Sequence, residues 1–131
     1  MTTCPRLHAV AEQMGVRLVR HGAGPKGFYI HRLRTISTRR GMSMTQYRST
    51  LAHELAHAHY GDEPTIGIFD AKQERRADLW AAKLLIDPDH FRAEYIWHRG
   101  NLGGIADELE ITHHLLGVWA DEQRRRIEAV A

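Results

Sequence analysis

Between residues 43 and 61, hydrophobic side chains recur every three or four positions, which predicts an amphipathic helix. Its apolar face would carry Met44, Tyr47, Leu51, Leu55 and Ala58. A second face of the same helix is polar and carries Gln46, Thr50, His53, His57 and Tyr60. One side of this helix is therefore suited to a hydrophobic core, and another side is available for polar chemistry.

The ends of this helix can also be predicted. Ser43 and Gln46 form a capping box, in which the serine is the N-cap and the glutamine follows three residues later. Gly61 suits the C-terminal end of the helix, and Pro64 cannot continue it. The helix is thus expected to occupy most of residues 43–61.

A second helical pattern covers residues 70–88. Asp70 is a suitable N-cap with Gln73 at the capping-box position, and Asp87 with Pro88 ends the segment. The small residues Ala77, Ala81 and Ala82 would let another helix approach closely. A further helix is expected from Pro88 to Arg99, before Gly100.

The N-terminal third of the chain indicates a small sheet. Residues 5–14 read as a short amphipathic helix capped by Gly15, and residues 16–21 alternate as a strand does. Turn residues fill positions 22–27, and positions 28–37 read as one or two further strands. We therefore predict an α+β fold in which a short three-stranded sheet packs on the helix of residues 43–61. Arg32 and Arg34 are expected to face outward.

Composition limits the possible classes of protein. The chain has 131 residues, of which 43% are hydrophobic, which predicts one folded domain over residues 1–131. No apolar run reaches the ~18 residues of a membrane span, and the first residues lack the apolar core of a signal peptide. A single cysteine, Cys4, excludes an internal disulfide and suits the cytoplasm. The formal charge of +2 does not by itself indicate nucleic-acid binding.

Residues 53–57, His-Glu-Leu-Ala-His, give the polar face of the first helix a specific chemistry. Residues four apart on a helix lie about 40° apart around the axis and about 6 Å along it. His53 and His57 could therefore bind one Zn²⁺, and Glu54 could accept a proton from a zinc-bound water. Two solvent-exposed histidines are the alternative, but the position of the motif within a capped helix favours the metal site.

Two histidines and a water leave a tetrahedral zinc site incomplete, so a third protein ligand is expected. One arrangement of such sites needs glycine at position 60 and histidine at position 63, and Tyr60 with Glu63 excludes it. A carboxylate from the second helix is the alternative, and Glu74 would supply it. Asp78, one turn later, would accept a hydrogen bond from the second nitrogen of a ligating imidazole. Either acid could instead be a solvated charge.

These two motifs, residues 53–62 and residues 74–85, resemble the ImmA/IrrE family of zinc metallopeptidases. The resemblance covers roughly residues 16–119 and implies a zincin-like domain. It also implies an endopeptidase that acts on a transcriptional repressor, often encoded in a phage or mobile element. The family usually carries another acidic residue where this chain has Arg76. This departure favours Glu74 as the ligand.

A competing signal lies in residues 105–119, which resemble a helix-turn-helix with Thr112 capping the second helix. Glu110 stands at the turn position usually held by glycine, and Asp107, Glu108 and Glu110 would face DNA phosphates unfavourably. Direct DNA binding is therefore not expected. The segment could instead contact a protein substrate.

The leading hypothesis is a cytoplasmic zinc endopeptidase with His53, His57 and Glu74 as ligands and Glu54 as the general base. Four residues could stabilise an oxyanion, and the sequence does not choose among them: Tyr60, His90, Tyr95 and His98. The rival hypothesis is a DNA-binding or repressor-binding module with a structural or vestigial zinc site. The presence of Glu54 disfavours the rival, because a structural site needs no base.

Overall fold

The computed structural model describes residues 4–63 and 71–130. This part of the chain forms a small sheet and six helices: α1 Pro5–Gln13, α2 Met44–Tyr60, α3 Ala71–Leu85, α4 Pro88–Trp97, α5 Leu102–Leu109 and α6 His113–Val130. The strands are β1 Arg17–His21, β2 Gly27–Ile30 and β3 Thr35–Arg39, with a 3₁₀ turn at His31–Leu33. The predicted α+β class, with a three-stranded sheet and additional C-terminal helices, is confirmed.

The sheet has the order β1-β3-β2, so β3 is central and β2 lies at an edge. β1 runs parallel to β3, and β2 runs antiparallel to it, with Tyr29 opposite Ile36. Thr35, Ile36, Ser37 and Thr38 of β3 are all buried, consistent with the central position of this strand. The sheet packs on α2 through β2 and β3.

α2 separates two hydrophobic clusters. The first cluster joins the sheet and α1 to one side of α2: Leu7, Ala11, Val16, Tyr29, Ile36, Tyr47, Leu51, Leu55 and Ala58. The second joins α2 to α3, α5 and α6: Ala52, Ala81, Ala82, Ile86, Ile105, Leu109, Ile111, Leu115, Leu116 and Trp119. Because both flanks of α2 are packed, the position of its polar face is fixed by the surrounding helices and sheet.

The predicted ends of α2 are confirmed. The Gln46 amide donates a hydrogen bond to the Ser43 hydroxyl at 3.2 Å, and Gly61 ends the helix with a φ of 67°. Ala77, Ala81 and Ala82 are fully buried where α3 packs, as their size suggested. The predicted roles of Asp70 and Pro64 concern positions outside the described residues.

One expectation for the sheet region is wrong. Arg34 does not face outward, because the 3₁₀ turn interrupts the predicted strand and leaves this residue in a left-handed conformation with a φ of 46°. Its guanidinium donates hydrogen bonds to the carbonyl oxygens of Met14 and Ala58 and to the Tyr29 hydroxyl. Arg34 thus connects α1, β2 and α2. Arg32 is exposed, as expected.

Candidate metal centre

The two histidines of α2 point to a common centre. Their rings meet edge to face with centroids 4.7 Å apart, and the two Nε2 atoms are 3.1 Å apart. Only 20% of the His53 side chain and 12% of the His57 side chain are exposed. The helical spacing of four residues therefore brings the imidazoles together on a partly shielded surface.

Glu74 reaches the same centre from α3. Its Oε2 lies 2.9 Å from His53 Nε2, and its Oε1 lies 3.1 Å from His57 Nε2. Ligands bound to a tetrahedral zinc at about 2.0–2.2 Å lie roughly 3.3–3.6 Å from one another. Among the described residues, these three form a group whose ligand atoms all lie within 4.8 Å of one another. The donor set therefore fits a zinc ion, with two imidazoles and one carboxylate.

Asp78 lies where the sequence suggested, beside one of the imidazoles. Its Oδ1 is 2.8 Å from His53 Nδ1, and its Oδ2 is 2.8 Å from His114 Nε2 on α6. Burial by itself raises the pKa of Asp78, but the hydrogen bonds from His53 and His114 outweigh burial and lower that pKa. Asp78 is thus favoured as a carboxylate within hydrogen-bonding distance of His53 Nδ1, an arrangement that would leave Nε2 available to a metal ion.

Asp62 lies in the corresponding position beside the other imidazole, although the sequence motifs did not single it out. Its Oδ2 lies 2.9 Å from His57 Nδ1, and its Oδ1 lies 2.5 Å from Arg76 Nη2. The residue follows Gly61, whose left-handed conformation turns the chain back toward α2. An acidic residue directly after the predicted C-cap was the available signal, because such a turn returns the side chain to the last helical turn.

Glu54 is buried beside the centre, with only 8% of its surface exposed. Burial is the main cause that raises the pKa of Glu54, and Glu74 adds to it, while the charges of His53 and His57 act in the opposite direction. A carboxylate with a raised pKa is a better proton acceptor near neutral pH than an exposed one. Glu54 is thus suited by its surroundings to general-base chemistry.

Two cavities meet at Glu54. The first has a volume of about 350 Å³, and its lining includes Phe28, Tyr29 and Glu74. The second has a volume of about 480 Å³, and its lining includes Lys26, Thr112 and His114. Gly27, His53 and Glu54 line both. None of the four oxyanion candidates from the sequence lines either cavity within the described part of the chain.

The segment that resembles a helix-turn-helix forms two helices, α5 and α6, separated by a turn. α5 and α6 are joined by a short turn in which Glu110 adopts a left-handed conformation with a φ of 53°, although it is not glycine. The Thr112 hydroxyl accepts a hydrogen bond from the Leu115 amide, which confirms the predicted cap. The start of α6 lines the second cavity and contacts Asp78 through His114. This end of α6 therefore faces the metal centre.

Comparison with known proteins identifies the family. A family model described as Peptidase_M78, IrrE N-terminal-like domain, matches residues 11–117. Because the match covers well over half of the 131 residues, the chain belongs to this family, and the resemblance noted in the sequence is confirmed. A search of curated proteins finds no match. Among the described residues, no helix is long and apolar enough to cross a membrane.

Proposed function

From this family membership we propose that the chain is a zinc-dependent endopeptidase. His53, His57 and Glu74 hold the metal, and Glu54 is the general base. The observation that carries the proposal is the convergence of these three ligand atoms within 4.8 Å beside a buried carboxylate that borders a cavity. A zinc ion bound there would lower the pKa of a coordinated water and polarise a peptide carbonyl.

The residues of the chain divide the remaining work. Asp78 and Asp62 hold the two imidazoles by Nδ1, so that both Nε2 atoms face Glu74. Glu54 accepts a proton from the attacking water and then donates it to the amine of the leaving peptide. Burial of Glu54 raises its pKa, which favours proton transfer near neutral pH.

The cleft suits an extended peptide. Among the described residues β2 pairs only with β3, so its other edge offers backbone hydrogen-bonding groups beside the first cavity, which Gly27, Phe28 and Tyr29 line. An added strand could hydrogen-bond to this edge while its side chains enter the cavities. The strand is only four residues long, so we infer that the cleft itself reads a short segment of substrate.

For the identity of the substrate we infer a cytoplasmic helix-turn-helix repressor, of the kind encoded in phages and mobile elements. This step rests on the resemblance to the ImmA/IrrE family. The structure contributes a surface for such a partner, because the start of α6 borders the second cavity and its His113 is 67% exposed. A protein substrate can therefore contact the α5–α6 segment while a peptide occupies the cleft.

The rival function is a binding module that retains zinc only for structure. Structural zinc sites are closed by four protein ligands, whereas catalytic sites leave one position for water. Three suitable ligands converge within the described part of this chain. A buried Glu54 beside them would be costly and useless in a purely structural site. The donor set and the base together favour the enzyme.

The test separates metal binding from catalysis. Glu54→Gln preserves side-chain shape and removes the proton acceptor. The variant should therefore retain zinc and its fold but lose most of its ability to cleave a repressor encoded by an adjacent gene. We expect a loss of about 10²-fold or more, the range for removal of a general base. Glu12→Gln, on the exposed surface of α1, is the matched control and should cleave normally. Normal turnover by Glu54→Gln would contradict the assignment.

A further inference from the structure

The Asp62 carboxylate is buried and uses both of its oxygens. One oxygen contacts His57 Nδ1 at 2.9 Å, and the other contacts Arg76 Nη2 at 2.5 Å. Only 7% of the Asp62 side chain is exposed, whereas Arg76 is 45% exposed. Burying a carboxylate is costly unless a charged partner or several donors contact it. Arg76 is that partner, supplied by a different helix.

Arg76 is itself held in a defined position. Its guanidinium carbon lies 3.9 Å from the centroid of the Tyr60 ring, within the range of a cation–π contact. Tyr60 is the last residue of α2, and Asp62 follows it by two residues. One side chain of α3 thus contacts the end of α2 at two points, an aromatic face and a carboxylate.

α3 therefore reaches both ligating imidazoles. It contacts His53 directly through Asp78, and it reaches His57 through Arg76 and Asp62. The same helix carries Glu74, the third ligand, two residues before Arg76. The relative position of the ligands from α2 and α3 is consequently held on both sides of the metal centre.

We propose that Arg76 is a positioning residue of the metal centre, which fixes His57 by holding the Asp62 carboxylate against its Nδ1. The proposal rests on the proposed function, because it assigns His57 as a zinc ligand. It also explains why this chain has Arg76 at a position where the family usually carries an acidic residue. An acidic residue at position 76 would repel Asp62, whereas an arginine neutralises it. The negative charge of Asp62 is therefore compatible with an arginine at position 76, and not with an acidic residue there.

Arg76→Met tests the proposal, because methionine keeps much of the side-chain length and removes the charge and the donors. We expect zinc affinity, measured by competition with a chelator, to fall about 10- to 100-fold, as when the partner of a ligating histidine is removed. The visible absorption of the Co²⁺-substituted protein should change as well, because the orientation of His57 changes. Arg76→Lys should recover much of the affinity.

Arg75→Met is the matched control. Arg75 is the neighbouring exposed residue on α3, so this variant loses the same charge without touching the centre, and its zinc affinity should equal that of the wild type. Asp62→Asn, which nearly preserves shape, should weaken zinc binding as well. In the double variant Asp62→Asn with Arg76→Met, zinc affinity should be only slightly lower than in Asp62→Asn alone, because both changes interrupt the same chain of contacts.

Two results would overturn the inference. The first is that Arg76→Met leaves both the zinc affinity and the Co²⁺ spectrum unchanged. Arg76 would then be merely structural, even if the metal-free variant were less stable. If Arg76→Met cannot be purified folded, unchanged zinc affinity in Asp62→Asn overturns the inference equally. Either result could occur with full wild-type peptidase activity, which would leave the proposed function intact. Absence of zinc binding by the wild type would instead defeat both proposals.

Discussion

At the scale of single residues, the charge of His53 is set by opposing effects. Burial by itself lowers the pKa of His53, but the hydrogen bond with Asp78 and the charges of Glu54, Asp78 and Glu74 outweigh burial and raise it. Zinc binds only the neutral imidazole, so metal and proton compete for this residue. In the proposed zinc site, the carboxylates that raise the pKa of His53 would therefore also make zinc binding sensitive to acid.

The sign of this sensitivity can be tested. Below the raised pKa, His53 is mostly protonated in the metal-free protein, so zinc affinity should fall as the pH drops through a value above 6.5, the ordinary value for histidine. Asp78→Asn should bind zinc about 10- to 100-fold more weakly at mildly alkaline pH. Its affinity should, however, begin to fall only at lower pH, because the interaction that raises the pKa has been removed.

The measurement is a series of zinc titrations at different pH values against a competing chelator. Asp89→Asn is the control, because Asp89 is an exposed carboxylate at the start of α4. Its zinc affinity should follow the wild-type pH profile. If zinc affinity in Asp78→Asn began to fall at the same pH as in the wild type, Asp78 would not control the protonation of His53.

At the scale of elements, the contact between β2 and α2 depends on a residue without a side chain. A Cβ atom added at Gly27 would lie 2.6 Å from Thr50 Cγ2 and 3.3 Å from Glu54 Cγ. The first distance is shorter than van der Waals contact, and Thr50 lies on the rigid α2. Gly27 thus permits the edge strand to lie against Glu54, the proposed general base, and a methyl group there would separate strand from helix.

Gly27→Ala should therefore lower both peptidase activity and stability, the latter by about 1–3 kcal/mol as for an overpacked core position. The methyl group of Thr50 is the closest obstacle, so Gly27→Ala combined with Thr50→Ser should recover much of both properties. Activity assays and thermal unfolding provide the measurement. Gly22→Ala, in the same turn region with no atom within 4 Å of the added Cβ, is the control. Equal damage from both alanine variants would contradict this steric explanation.

At the scale of the whole molecule, the α5–α6 segment is part of the structure that surrounds the site. Ile105, Leu109, Leu115, Leu116 and Trp119 bury their side chains in the cluster that also contains Ala81 and Ala82 of α3. The amide of Thr112 donates a hydrogen bond to the Ser49 hydroxyl on α2 at 3.1 Å. The start of α6 is thus packed against α2 through Thr112, while His113 on the same turn stays exposed.

The expected substrate behaviour follows from this arrangement. An edge strand of four residues can contact only a short segment of substrate, so selectivity should depend on contacts outside the cleft. Purified protein should cut a neighbouring helix-turn-helix repressor at a discrete position and leave unfolded casein largely intact. Electrophoresis and mass spectrometry of the fragments provide the measurement.

His113→Ala is the suitable probe of the outer contact, because His114 also holds Asp78 and its loss would disturb the metal centre. We expect His113→Ala to slow repressor cleavage without changing zinc affinity. Rapid digestion of casein, with no cut in the repressor, would defeat the idea of a specific protein substrate. Specific retention of DNA by the isolated protein would favour the rival binding module.

Features that depend on neighbouring residues in the chain could be predicted from sequence. The caps Ser43 and Thr112 act over three residues, and the spacing of His53 and His57 is determined by helix geometry. Glu74 and Asp78 were predicted because both are acidic residues one turn apart on a second helix. The structure brings both to the histidines, while their chemical roles remain proposals.

Other features are decided only when separate elements pack together. The order β1-β3-β2 depends on which strand edges meet, and the inward position of Arg34 depends on carbonyl oxygens contributed by α1 and α2. The connection from Arg76 through Asp62 to His57 joins residues whose contact requires α3 to lie against the end of α2. By itself, the sequence determined the metal-motif helix α2, the caps Ser43 and Thr112 and the residue types suited to the chemistry, because these follow from local geometry. Tertiary structure decided which carboxylate serves which imidazole, because that choice depends on distances between elements far apart in the chain.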